Sequence, residues 1–141
     1  MALRLLIFCF SIMFKHLTPS SIIPPFAKYS HGLEVPSGYR WLFCSGQLGI
    51  SLNAEIPEGT EAQTRLCFEN VEAILTEAGM GMEHIVRINA YVTGREHLPA
   101  YMKVRDELFS EPAPASTLMI VSGFAREVFT VEIEVIAAAP E

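Results

Sequence analysis

The sequence has no cluster of lysine and arginine: over 141 residues, 10 basic side chains face 16 acidic ones, for a formal charge of −6. A phosphate backbone is bound by a basic patch or stripe, so nucleic acid is not the expected partner. There is no C-x-x-C pair, and Cys9, Cys44 and Cys67 are odd in number and widely spaced. They cannot make a complete disulfide framework, which points to a reducing compartment and a cytoplasmic protein. No apolar run reaches the roughly 20 residues of a membrane-spanning helix, so no membrane partner is expected. Metal-ligand spacing is also missing, because His16, His31, His84 and His97 stand apart with no Cys or Asp at a ligating interval. Neither a metal nor a cofactor is expected. Gly46 and Gly49 form no G-x-G-x-x-G and precede no Lys-Ser/Thr pair, so no phosphate or dinucleotide loop is present. Ser45 lies in SGQ rather than G-x-S-x-G, and no His and acid can be assigned beside it, which leaves a hydrolase triad unsupported.

What the chain does have is apolar content, half of its residues. A domain of this length buries roughly 68–70 % of the surface its unfolded chain exposes, enough for one core without staples. The aliphatic and aromatic excess implies that some apolar surface is buried between subunits. Residues 5–14, LLIFCFSIMF, are followed by Lys15 and His16 without a small-x-small cleavage site. Three readings of residues 1–17 stand: a non-native upstream start that stays disordered, an amphipathic or self-associating tail, and a secretory signal. The first is preferred, which leaves 18–141 as the domain. Without Arg4 and Lys15, eight basic side chains face sixteen acidic ones, so the acidity belongs to the domain.

Prolines 19, 24 and 25 make residues 18–28 an extended entry. Two short strands, 33–35 and 41–45, are separated by PSGYR and read as a hairpin. Between Glu61 and Ala78 the residues Cys67, Val71, Ile74, Leu75 and Ala78 recur at helical spacing, with Gly79 as C-cap. Residues 85–93 alternate as a half-buried strand, and 97–109 form a second helix with Leu98, Tyr101, Met102, Leu108 and Phe109 on one stripe. Strands at 116–122 and 129–137 complete a β-β-α-β-α-β-β order. This is an α+β or α/β sandwich with both helices on one face of a mixed sheet. The other face then presents Arg87, Asn89, Tyr91, Thr130, Glu132 and Glu134. Glu132 and Glu134, two apart on one strand, suit an acid/base or a carboxylate pair, although pattern alone favours a solvated face. Cys44 reads as a buried core thiol.

The strings YSHG (29–32), FCSGQLG (43–49), EAQTRLCFENVEAILTEAG (61–79), IVRINAYVT (85–93), PAST (114–117) and VEIEVIA (131–137) resemble the Rid family of reactive-intermediate deaminases, also labelled endoribonuclease L-PSP-like. The similarity covers about residues 22–139. It implies a chorismate-mutase-like (RidA-like) α+β domain that assembles as a homotrimer with small-molecule clefts between subunits. Carried over by position, the cleft would include Tyr29, Ser45, Gly46, Met119 and Glu132, with Glu132 holding a water for attack on an imine carbon. In deaminase members an arginine on the penultimate strand grips the substrate carboxylate. Counting back from EIE places Thr117 there, with Ser116 the near alternative, and a cleft asparagine falls on Met102. A bidentate charge-assisted pair is among the strongest hydrogen-bonded contacts, so its replacement by one hydroxyl weakens imino-acid binding roughly 10²-fold. Arg87, Arg105 or Arg126 could reach the cleft from elsewhere, and the plainer reading of Arg105 is a snorkelling or acid-paired side chain. The resemblance thus implies a hydrolase-like protein for imines or enamines that is not a standard 2-iminopropanoate deaminase. The alternative is a non-catalytic metabolite-binding or interaction module on the same trimer. A ribonuclease, suggested by the family label, conflicts with the charge.

Overall fold

The computed structural model describes residues 14–141. The apolar block's first residues, with Cys9, lie outside the described residues, as do most of the residues set apart as an N-terminal extension. The structure places the end of that stretch in a strand, β1 (Lys15–Leu17), which pairs antiparallel with β2 (Gly32–Glu34), Lys15 opposite Glu34. Opposite charges facing across a pair favour that register.

A four-stranded sheet in the order β3-β6-β4-β5 forms the body, from β3 (Tyr39–Leu48), β4 (Ile85–Val92), β5 (Ala115–Ile120) and β6 (Val131–Pro140). Strand β6 lies antiparallel to both β3 and β4, whereas β4 and β5 are parallel, joined through helix α2 (Leu98–Leu108). Parallel neighbours need such a crossover. The hairpin between residues 33–35 and 41–45 does not form, because β2 pairs with β1 and β3 with β6. Ser30 bridges to Ala115 on the β5 edge, so the chain must cross from that edge to β3, and Gly38, at φ +80°, turns it.

Helix α1 (Thr60–Glu77) turns Gln63, Thr64, Cys67, Phe68, Val71 and Leu75 inward at helical spacing. Gly79, at φ +67°, ends it as anticipated, with its amide on Thr76 O and the Met80 amide on Leu75 O. In α2 the buried residues are Tyr101, Val104 and Arg105, while Leu108, assigned to the apolar stripe, is 44 % exposed. Burial alternates along β6: Val131, Ile133 and Val135 are in the core and Glu132 and Glu134 are not. One face of the sheet therefore lies under the helices and the other is open. No helix among the described residues is long and apolar enough to cross a membrane.

Candidate functional site

Two clusters hold the residues singled out from the sequence, one on each face of the sheet. The first sits under α2, at the β5 edge. Because β5 alternates, Ser116 and Leu118 point towards the helix and Thr117 and Met119 away from it. Met102 and Arg105, three residues apart, share the helix face above them. Tyr29 enters from the preceding loop, which Ser30 ties down: its amide bonds to Pro114 O at 3.1 Å and its hydroxyl donates to Ala113 O at 2.6 Å. That hydroxyl proton being used, Ser30 Oγ accepts from His16 Nδ1 at 2.9 Å, which ties β1 to the same loop. Tyr29, Met102, Arg105, Ser116 and Leu118, with Ala27 and the largely exposed Phe26, line an open cavity of about 280 Å³.

The second cluster lies on the open face. At the irregularity in β3 between Cys44 and Gln47, Gly46 faces the Glu132 carboxylate so closely that a β-carbon there would overlap it. Burial, with the like charge of Glu134 added, pushes the Glu132 carboxyl above the ordinary carboxylate range. Glu134 accepts hydrogen bonds from Asn89 Nδ2 at 3.1 Å and from the Tyr91 hydroxyl at 2.7 Å. The bond to Glu134 favours the neutral phenol and raises the Tyr91 pKa. Arg87 continues the chain, donating to Asn89 Oδ1 at 3.0 Å and to Thr117 Oγ1 at 2.9 Å. Glu132 is thus left outside a network that holds its neighbour. Ser45 is exposed beside this face, and Phe43, Ser45, Asn89 and Glu134 line a second cavity there of about 280 Å³. The thiols are core groups: Cys44 is buried, and burial pushes Cys67 up to about 12.

Of the residues assigned from sequence, Tyr29 and Met102 come together, as do Gly46 and Glu132, with Ser45 adjacent. Ser116 rather than Thr117 shares the cavity of Tyr29 and Met102, and Thr117 and the 54 % exposed Met119 are on the opposite face. Of the three arginines, Arg105 lines the cavity, Arg87 is engaged on the open face, and Arg126 packs on Phe129 with Cζ 5.7 Å from the ring centre. Sequence reasoning missed Leu118 as a lining residue and the partners of Glu134. Alternation along β5 could have found the first once Ser116 was chosen.

The sequence profile described as Endoribonuclease L-PSP matches residues 20–139. The mitochondrial protein mmf1 of Schizosaccharomyces pombe is 34 % identical over 71 % of this chain, a match that spans 62 % of that relative's length. A RutC family protein of Aquifex aeolicus is 33 % identical over 85 % of this chain and 94 % of its own. The solved structure of YyfB from Yersinia pestis, titled a protein of unknown function of the conserved Rid family, superposes with a TM-score of 0.78 at 28 % identity, covering 89 % of this chain and 98 % of that one. A 2-iminobutanoate/2-iminopropanoate deaminase of Dermatophagoides farinae is 26 % identical over 85 % of this chain and 93 % of its own. With the profile match spanning nearly the whole described domain and the two-helix mixed sheet shared with solved relatives, this chain belongs to the endoribonuclease L-PSP family, in its Rid, or RidA-like, group.

Proposed function

We propose that this protein is a homotrimer that hydrolyses small imines or enamines in clefts between neighbouring copies, with Glu132 as the acid/base. The position of Glu132 carries the reading: a carboxylate with a raised pKa, set against the bare backbone of Gly46 and outside the hydrogen bonds that occupy Glu134. Such a group takes a proton at neutral pH more readily than a solvated carboxylate does. Glu132 accepts a proton from water as the water oxygen bonds to the imine carbon. It returns the proton to nitrogen, giving a carbinolamine, then takes the hydroxyl proton and passes it to the amine as the C–N bond breaks, which leaves a carbonyl compound and ammonia. The deaminase relative supports this reaction class by its name.

The separation of the two clusters supports the intersubunit cleft. Ser116 and Gly46 are at similar levels of the sheet but on its opposite edge strands, three inter-strand spacings or roughly 14 Å apart, and they serve opposite faces. One small ligand cannot touch both within one chain, whereas a second copy can bring them together. The exposed Trp41, Phe43 and Met119 on the open face are suited to burial by that copy. Neither Ser116 nor Thr117 offers a cation on β5, so the protein is not a standard 2-iminopropanoate deaminase. The buried, unpaired Cys44 and Cys67 support a cytoplasmic setting.

Purified protein and a Glu132→Ala variant, assayed for ammonia release from imines generated in solution, test the reaction. Turnover that the variant loses is the expected result, and equal rates overturn the role of Glu132. Binding of metabolites without turnover would instead support the non-catalytic module.

A further inference from the structure

A third open cavity, of about 340 Å³, lies between β1, the turn Met82–His84 and the end of α2. It shares no lining residue with the two cavities described above. Ile85, the first residue of β4, lines it, whereas Glu132 lies opposite Tyr91, roughly 20 Å further along that strand. Phe14, Met82, Leu108 and Phe109 give it apolar walls, and no lysine or arginine is among the described residues that line it. His16 and Glu83 also line it, and both can only accept. Ser30 Oγ already takes the Nδ1 proton of His16, so in the neutral ring Nε2 carries a lone pair, which has no partner among the described residues. Glu83 lies over the bare backbone of Gly81, where a β-carbon would overlap its carboxylate. The nitrogen beside that carboxylate, His84 Nδ1 at 3.5 Å, accepts from the Gly81 amide at 2.9 Å and has no proton to give. Glu83 is thus left without a donor among the described residues. The last carbonyls of α2 add negative potential at the same end, and one of them, Asp106 O, draws Lys28 Nζ to 3.0 Å.

We propose that this cavity binds a small apolar ammonium ion, a protonated alkyl or arylalkyl amine, with Glu83 as counter-ion and His16 Nε2 as a second acceptor. An ammonium group has three donors and no acceptor, which matches two side chains that can only accept. The rings of Phe14 and Phe109 suit a cation as well as a hydrocarbon body. A volume of about 340 Å³ is at the small end of ligand sites, so that body is a single ring or a short chain. Glu83 is 64 % exposed, so its charge sets selectivity while the apolar walls supply most of the affinity. The site lies apart from Glu132, and its occupation does not depend on the proposed hydrolysis.

The probes are 2-phenylethylammonium, the neutral 2-phenylethanol and the anion phenylacetate, which share a ring and a nearly equal length. They are titrated against the full chain at neutral pH by ligand-observed NMR. The wild type is expected to bind the ammonium about threefold or more tighter than the alcohol, and phenylacetate more weakly than either. Glu83→Gln, at an exposed position, should bring the ammonium to within about 1.5-fold of the alcohol and leave the alcohol unchanged. Leu108→Ala removes part of the apolar wall at a position 44 % exposed, so it should weaken ammonium and alcohol alike, by about threefold, and preserve their ratio. The proposal is overturned by a wild type that binds none of the probes or does not favour the ammonium. It is equally overturned by a preference that survives Glu83→Gln, or by a Leu108→Ala variant that binds both probes as tightly as the wild type does.

Discussion

At the scale of the residue, the absence of one methyl group places the acid. Gly46 leaves room for the Glu132 carboxylate where a β-carbon would overlap it, so Gly46→Ala must displace the acid while leaving its chemistry intact. We expect a fall in kcat of about tenfold or more, with a melting temperature near that of the wild type. A comparable kcat in Gly46→Ala would show that the position of Glu132 is immaterial. The raised pKa of Glu132 has a separate signature in stability. Its folded-state pKa lies above its unfolded value, so ionisation opposes folding: the native state is penalised progressively as pH rises through the unfolded value towards the folded one, and fully above both. Glu132→Gln should therefore melt higher than the wild type at pH 7 and lose that advantage below about pH 4, where both states carry the neutral acid. A difference in melting temperature that does not change with pH would contradict the assigned direction. That Glu132 and Glu134 share a face was legible from their spacing of two. What separates their roles was not, because Asn89 and Tyr91 reach Glu134 through the β4–β6 register, which local spacing does not encode.

At the scale of the element, α1 is joined to the sheet by a buried amide as well as by its apolar stripe. Gln63, 1 % exposed, donates through Nε2 to Pro57 O at 3.2 Å and to Val128 O at 2.9 Å, and its Oε1 accepts from the Thr130 amide at 3.0 Å. The side chain thereby closes the loop before α1 and the approach to β6 against the first turns of the helix. Gly49 passes so near that a β-carbon there would lie 2.7 Å from the Gln63 Cα. Replacing Gln63 by Leu keeps volume but strands those backbone groups, so we expect a loss of about 2–4 kcal/mol, read as a lower urea midpoint with an unchanged slope. A Leu variant as stable as the wild type would show that packing alone holds α1 there. The helix itself was legible from its period and from Gly79, because both signals are local. Gln63 was not singled out, since a glutamine in an acidic first turn looks solvated until its distant partners are known. Arg105 was visible as a charge on the apolar stripe of α2, three residues after Met102; of its two plainer readings the acid pair holds, with Nη2 2.8 Å from Asp106 Oδ1, whereas snorkelling to solvent fails because the side chain stays 5 % exposed. The hairpin failed for a comparable reason: PSG marks a change of direction, and whether a turn joins paired strands depends on what each flank meets afterwards.

At the scale of the whole molecule, the family and the α+β sheet with two helices were legible from ordered strings along the chain, whereas the division of the site was not. Nothing in the order of residues says that Tyr29 and Met102 gather under α2 while Ser45, Gly46 and Glu132 gather on the far face, on β3 and its neighbour β6. That division makes the assembly testable through activity rather than through mass alone. Met102→Trp fills the cavity of its own copy and leaves Glu132 intact, and Glu132→Ala does the opposite. If each cleft takes its cavity from one subunit and its acid from the next, co-refolding the two inactive variants in equal amounts restores clefts in which both contributions are wild type. In a ring of random composition that pairing arises at roughly a quarter of the interfaces, so about a quarter of the wild-type ammonia release should return. A site contained in one chain gives no recovery, because every subunit then carries its own defect. Exchange must be verified by a mixed-mass trimer in native mass spectrometry; with mixed trimers present, silence in the assay removes the shared cleft, and recovery establishes both the assembly and the separate contributions of the two faces.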